Sequence, residues 1–112
     1  MANNLKVDAV YTKHPSYEGV YMKHFFRKED NDRLNNLEIM IVPDFVIPPH
    51  VHENSSEFFY VVSGQGEFLD DKEWRAIKKG DAYVAPKGMV HATKNTGSEA
   101  LVLVSTFSPA IM

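Results

Sequence analysis

Pro48-Pro49-His50-Val51-His52-Glu53-Asn54-Ser55-Ser56-Glu57-Phe58-Phe59-Tyr60-Val61-Val62-Ser63-Gly64 carries two histidines two positions apart, then a turn, then a carboxylate that opens an apolar run. Successive side chains on a strand point to opposite faces, so residues at i and i+2 share one. His50 and His52 therefore face the same way where the segment is extended. The turn Asn54-Ser55-Ser56 follows, and an antiparallel return of the next strand would set Glu57 opposite the histidine pair. A fourth candidate, His91, sits in a second stretch, Gly80-Asp81-Ala82-Tyr83-Val84-Ala85-Pro86-Lys87-Gly88-Met89-Val90-His91-Ala92-Thr93-Lys94-Asn95. It follows a Pro-x-Gly turn and must arrive from a distant strand. Three imidazoles and one carboxylate, with no thiolate, form a nitrogen and oxygen donor set for one divalent transition metal: Mn, Fe, Ni, Co, Cu or Zn.

The rest of the chain is strands and turns. Val20–Arg27 is rich in aromatic residues and stops at the charged turn 29–33; Leu37–Val42 stops at Pro43. Phe58–Val62 ends at Ser63-Gly64-Gln65-Gly66. A hairpin around Asp70-Asp71-Lys72 joins Gly66–Leu69 to Glu73–Ile77. Ala82–Ala85, Val90–Lys94 and Leu101–Phe107 complete the series, and Lys6–Val10 reads as an extra strand that covers an edge or pairs with a second subunit. Many short strands with glycine or proline at the joints indicate an all-β sandwich or barrel. At 112 residues, 44% hydrophobic and 24% charged, the chain reads as one globular domain over 1–112.

Both histidine-bearing blocks resemble the two signature motifs of the cupin superfamily. The first family motif runs Gly, five residues, His-x-His, three or four residues, Glu, six residues, Gly. Residues 44–64 match it at His50, His52, Glu57 and Gly64, with Asp44 in place of the leading glycine, a residue that tolerates the same turn. The second motif matches throughout residues 80–95, at Gly80, Pro86, Gly88, His91 and Asn95. The resemblance implies a double-stranded β-helix, or jelly-roll, barrel of the small monocupin, RmlC-like kind. It also implies one metal per chain held by His50, His52, Glu57 and His91, and a homodimer. A single histidine on a strand is more often a packed residue than a ligand; four ligand types inside matched motifs reverse those odds. His14, before Pro15, reads as a surface residue, and His24 is left undecided.

Parity then nominates a pocket. If Glu57 faces the interior, Phe59 does too; if His91 points in, so does Thr93. Leu103, Ser105 and Phe107 form one face of the last strand. Met40, on the strand before the first motif, is expected to add an apolar wall, and Tyr83 joins the set if it faces the cavity. Tyr83, His24 and Lys23 are the candidate bases on the same condition, and no catalytic residue is assigned. Gly64, Gly80 and Gly88 are expected at turns with positive φ, and Asn95 is expected to tie its turn to neighbouring backbone.

The tail Leu101–Pro109 resembles that of single-domain cupins acting on unsaturated uronates, which carry Asp-x-Phe-x-Pro and then an arginine. Phe107 and Pro109 match, whereas Ser105 replaces the acid and Ile111 stands near the arginine position. A neutral or short anionic substrate is expected instead. Four protein ligands on a metal that prefers six leave two positions open, which suits a small-molecule enzyme of dioxygenase, isomerase or lyase type. The alternative is a non-catalytic carrier or sensor module for a metal and small molecule. A net charge of −3 without a Lys/Arg run argues against nucleic acid. No window is apolar enough to span a bilayer and no signal peptide is evident, so a cytoplasmic address is expected.

Overall fold

Asn35–Ile41 alternates buried and half-buried side chains at every position, and Leu101–Ser108 does the same until its last residue. Two such strands side by side expose one face to solvent and give the other to a core. The computed structural model describes residues 4–112 and builds ten strands: β1 (Thr12–Lys13), β2 (Val20–Phe26), β3 (Asn35–Ile41), β4 (Val46–His50), β5 (Ser56–Ser63), β6 (Gln65–Asp70), β7 (Glu73–Lys78), β8 (Ala82–Ala85), β9 (His91–Asn95) and β10 (Leu101–Ser108). They form two antiparallel sheets, of order β1-β2-β3-β10-β5-β8 and β4-β9-β6-β7. No helix occurs among the described residues, so none is long and apolar enough to cross a membrane. The architecture is an all-β double-stranded β-helix. Its core lies between the sheets, with Leu37, Ile39, Ile41, Leu101 and Leu103 facing Phe68 and Ile77.

Three sequence expectations change. Lys6–Val10 forms no strand; the edge of the larger sheet is covered instead by β1, paired at Thr12↔Met22. Glu57 does not return beside the histidines, because β4 and β5 belong to different sheets and the carboxylate reaches across the barrel. His52 lies two residues beyond the end of β4 rather than on it. The reason is in Pro48 and Pro49. Proline cannot donate to a ladder, so this segment tolerates only an edge position, and its pairing with β9 shifts register between Ile47 and His50.

The turns follow the motif residues. Asp44 takes the left-handed φ of 74° at the position where the motif has glycine, which explains the substitution: aspartate is among the few residues that accept it. Gly64, Gly80 and Gly88 also have positive φ, as expected. Gly66 is needed for a different reason, close approach. A Cβ there would lie 2.2 Å from the Lys94 carbonyl oxygen of β9, backbone that cannot swing aside. Asn95 closes its turn by donating to the Ile41 and Glu99 carbonyls while its Oδ1 accepts from the Gly97 N–H, each at 2.8 Å.

Gly66→Ala is expected to destabilise the fold by about 1–3 kcal/mol, the usual cost of overpacking. Gly88→Ala meets nothing within 4 Å and is left with backbone strain alone. Denaturant unfolding of both variants checks the order, and equal losses would contradict it.

Candidate metal centre

Three of the four candidate ligands lie on strands of the two sheets, and the fourth lies just beyond the end of one. His50 ends β4, His91 begins β9 directly opposite it, Glu57 is the second residue of β5 in the other sheet, and His52 follows β4. Their donor atoms all lie within 4.8 Å of one another. Glu57 Oε1 is the meeting point, 3.1 Å from His91 Nε2 and 3.5 Å from His52 Nε2. The other carboxylate oxygen, Oε2, accepts a 2.5 Å hydrogen bond from the Ser105 hydroxyl. Ser105 is fully buried and diagonal to Glu57 across the β5–β10 ladder.

The tautomers decide whether this cluster fits a cation. His50 Nδ1 is 2.8 Å from the Pro48 carbonyl, and His91 Nδ1 is 3.1 Å from that of Met89. A carbonyl only accepts, so each Nδ1 carries a hydrogen, and in the neutral ring the Nε2 lone pair is left for the centre. At His91 that nitrogen lies 3.1 Å from a carboxylate oxygen, a contact that a proton or a metal cation between the two would satisfy. A divalent transition metal fits this donor set.

The electrostatics agree. Burial pushes His50 below the ordinary imidazole value, against the pull of the Pro48 carbonyl. His52 is lowered by burial as well, with Glu57 opposing. Both therefore favour the neutral, ligating form.

The four residues line a cavity of about 120 Å³ whose other walls are mostly apolar, with Leu37, Ile39, Phe59 and Phe107 prominent. Phe107 packs edge-on against His52 at 4.9 Å. Phe59 and Thr93 line the cavity as parity indicated. Met40 does not: it lies on the outward face of β3, because Leu37, Ile39 and Ile41 occupy the inward positions. Tyr83 and Ser105 stand behind the wall. Tyr83 stacks between Phe59 and Phe68, and its hydroxyl is paired with Thr93 at 2.9 Å.

None of the three candidate bases is among the residues that line the cavity. Burial, with Glu57 adding to it and the Thr93 bond opposing, raises Tyr83 far above the ordinary phenol value. Lys23 pairs with Glu38 at 3.4 Å and covers the Tyr11 ring, and His24 lies in a separate groove. Sequence reasoning also missed members of the wall. Val20 and Met22 of β2 enter by the same alternation and could have been read from it. Met112 and His14 could not, since the tail and the β1–β2 turn have no periodicity. His14 is thus a cavity residue and not merely a surface one. No Lys or Arg lines the cavity among the described residues.

A family model described as a cupin domain matches residues 37–107, which include all four ligands. The pectin degradation protein KdgF of Dickeya dadantii is 39% identical over 61 residues, covering 54% of each chain. The chain spans about half or less of the length of several curated relatives it matches, and an Aquifex aeolicus protein is 42% identical over 62 residues, half of its length. Among solved structures, KdgF from Halomonas sp. superposes with a TM-score of 0.79 at 26% identity, covering 91% of this chain and 89% of that one. A predicted oxalate decarboxylase from Thermotoga maritima gives 0.81 at 24%, covering 97% and 98%, and shares the fold.

The double variant His50→Ala/His52→Ala is expected to lose stoichiometric metal while remaining folded; full metal content by elemental analysis would contradict the assignment. Chelation should lower the melting temperature of wild type, since the ion binds only the folded chain. For metal-free protein the sign of the pH dependence follows from the lowered imidazoles. Below about pH 6.5 the unfolded chain takes up protons that folded His50 and His52 resist, so stability falls as pH falls. Thermal melts across pH 5–8 check this, and a melting temperature that rises toward pH 5 would contradict it.

Proposed function

As the chain belongs to the cupin domain family, we propose that it is a mononuclear metal-dependent small-molecule enzyme, of dioxygenase, isomerase or lyase type, whose substrate meets the metal through one or two oxygens. The observation that supports this best is the placement of all four donors in the wall of an apolar cavity, where a second molecule can reach them, rather than in a sealed shell. A divalent metal held by His50, His52, Glu57 and His91 would supply Lewis acidity, or redox chemistry if the ion is redox-active, to an oxygen ligand.

The chain's own residues set the conditions. Ser105 holds Glu57 Oε2, which leaves Oε1 turned to the histidines. Leu37, Ile39, Phe59 and Phe107 keep bulk water out, and charges interact more strongly in such a lowered dielectric. The cavity is well below the roughly 300–1,000 Å³ of drug-sized sites, so the substrate is short. With no Lys or Arg in the wall, a second anionic group on that substrate would have no partner. The absence of a free carboxylate or lysine facing the cavity, among the described residues, favours a second reading, a carrier or sensor that binds without turnover. A cytoplasmic homodimer belongs to the proposal. The exposed Phe58, Tyr60 and Val84, on the outer face of β5 and β8, support the dimer.

Metal analysis of untagged protein, then a panel of small hydroxy acids, diketones and sugars tested with and without oxygen, is the direct test. Turnover lost in chelator supports the enzyme; tight binding without turnover favours the carrier. The likeness to a pectin degradation protein raises the uronate question again. Ser105 is engaged by Glu57 and Ile111 packs against the core, so neither the acid nor the arginine of the uronate-type tail is present. Little activity on unsaturated uronates is expected. Robust metal-dependent linearisation of one by purified protein would reverse this.

A further inference from the structure

His14 is held more firmly than a turn residue requires. It follows β1, and its backbone N–H donates to the Val20 carbonyl at 2.8 Å, which ties it across the turn to the start of β2. Its ring stacks on Tyr17 with centroids 4.2 Å apart and planes within 16°. Its Nδ1 accepts two backbone N–H groups, from Ser16 at 3.0 Å and Tyr17 at 3.2 Å. A nitrogen that faces two donors must offer its lone pair, so the neutral ring carries its hydrogen on Nε2. His14 is thereby the opposite tautomer to His50 and His91. Those two present lone pairs to a cation; His14 presents an N–H, and that N–H has no hydrogen-bond partner among the described residues. The ring is part of the cavity wall. Apart from the metal ligands, the polar side chains of that wall are His14, Tyr17 and Thr93, and the Thr93 hydroxyl is already paired with Tyr83.

We propose that His14 is a specificity-determining residue, whose Nε2–H hydrogen-bonds an uncharged acceptor oxygen of a short substrate whose other end binds the metal. This rests on the metal-centred reading above and deepens it. The substrate class is a small carboxylate or similar oxygen ligand that carries a further carbonyl, ether or hydroxyl oxygen a few bonds away. An uncharged acceptor suits a neutral donor in a wall that holds no Lys or Arg, whereas a second carboxylate would be buried without a counter-charge. The donor is also preorganised. Backbone and stacking fix the ring before any ligand arrives, so little side-chain freedom is lost on binding.

The test uses two acids of the same length, pentanoate and 4-oxopentanoate, which differ only in a ketone remote from the carboxylate. Their binding to Co²⁺-loaded full-length protein is read from the visible spectrum of the metal. Wild type should bind 4-oxopentanoate about fivefold more tightly, the ratio that one net hydrogen bond of about 1 kcal/mol gives. His14→Phe keeps an aromatic ring on Tyr17 and removes the donor. His14→Asn keeps an acceptor for the Ser16 and Tyr17 N–H groups, as asparagine does in turns, but is too short to reach across. Both variants should bring the ratio to about one, by a loss confined chiefly to 4-oxopentanoate.

A ratio preserved in both variants, or equal weakening of both acids, overturns the proposal; the latter would mark His14 as structural. Equal binding of the two acids to wild type overturns it while leaving the metal-centred reading intact. Binding of neither acid overturns that reading and this one with it. An independent check needs no metal: ¹⁵N chemical shifts of metal-free protein should show His14 Nδ1 as the unprotonated nitrogen, and a hydrogen on Nδ1 refutes the assignment.

Discussion

The carboxylate of Glu57, buried between two sheets and facing imidazole nitrogens, is the constraint on which the rest of the structure turns. An ionised carboxylate in an apolar barrel carries a large desolvation cost unless it is hydrogen-bonded and paired. Ser105 satisfies one oxygen from the adjacent strand, and the histidines across the barrel surround the other. The two sheets thus meet at this point through polar groups and elsewhere through packed Leu, Ile, Val and Phe. A cation held by these four residues would meet both the carboxylate and the imidazole nitrogens at the point where the two sheets come together.

Much of this was legible in the sequence because it depends on alternation. Once Glu57 is taken as inward, Phe59 and Val61 follow, and the same step along β10 gives Leu103, Ser105 and Phe107; all are buried. The four ligands were legible from residue type and spacing together, and Asp44 kept the turn of the glycine it replaces because its φ of 74° is tolerable to aspartate. What was not legible depends on which sheet a strand joins. Alternation says that β3 has two faces but not which one meets the cavity, and the choice of Met40 over Leu37 and Ile39 took the wrong one. In the same way, the step from β4 to β5 looks like a hairpin in sequence and is a crossing between sheets in space.

The chain ends resisted reading for a different reason. Met112 and His14 enter the cavity wall from segments without periodicity, placed by specific hydrogen bonds and, for His14, ring stacking. Met112 is held through its carbonyl, which accepts from the Lys28 N–H at 2.7 Å, and His14 through its amide to Val20. Such contacts depend on the fold already formed, so no local pattern announces them. Three of the five histidines differ in the role of Nδ1: His50 and His91 donate it to a carbonyl and leave Nε2 for the centre, whereas His14 accepts at it and keeps its hydrogen on Nε2.

The Gly88 N–H donates to the His52 carbonyl at 2.9 Å, so the loop that feeds His91 is pinned to the loop that carries His52. The two histidine-bearing segments are far apart in sequence, yet neither can swing away without breaking this bond. Movement of either loop alone therefore costs this bond, and the two are coupled through it. The amide hydrogen of Gly88 sits at that junction, and the pace at which it trades with deuterium would report how often the two loops part.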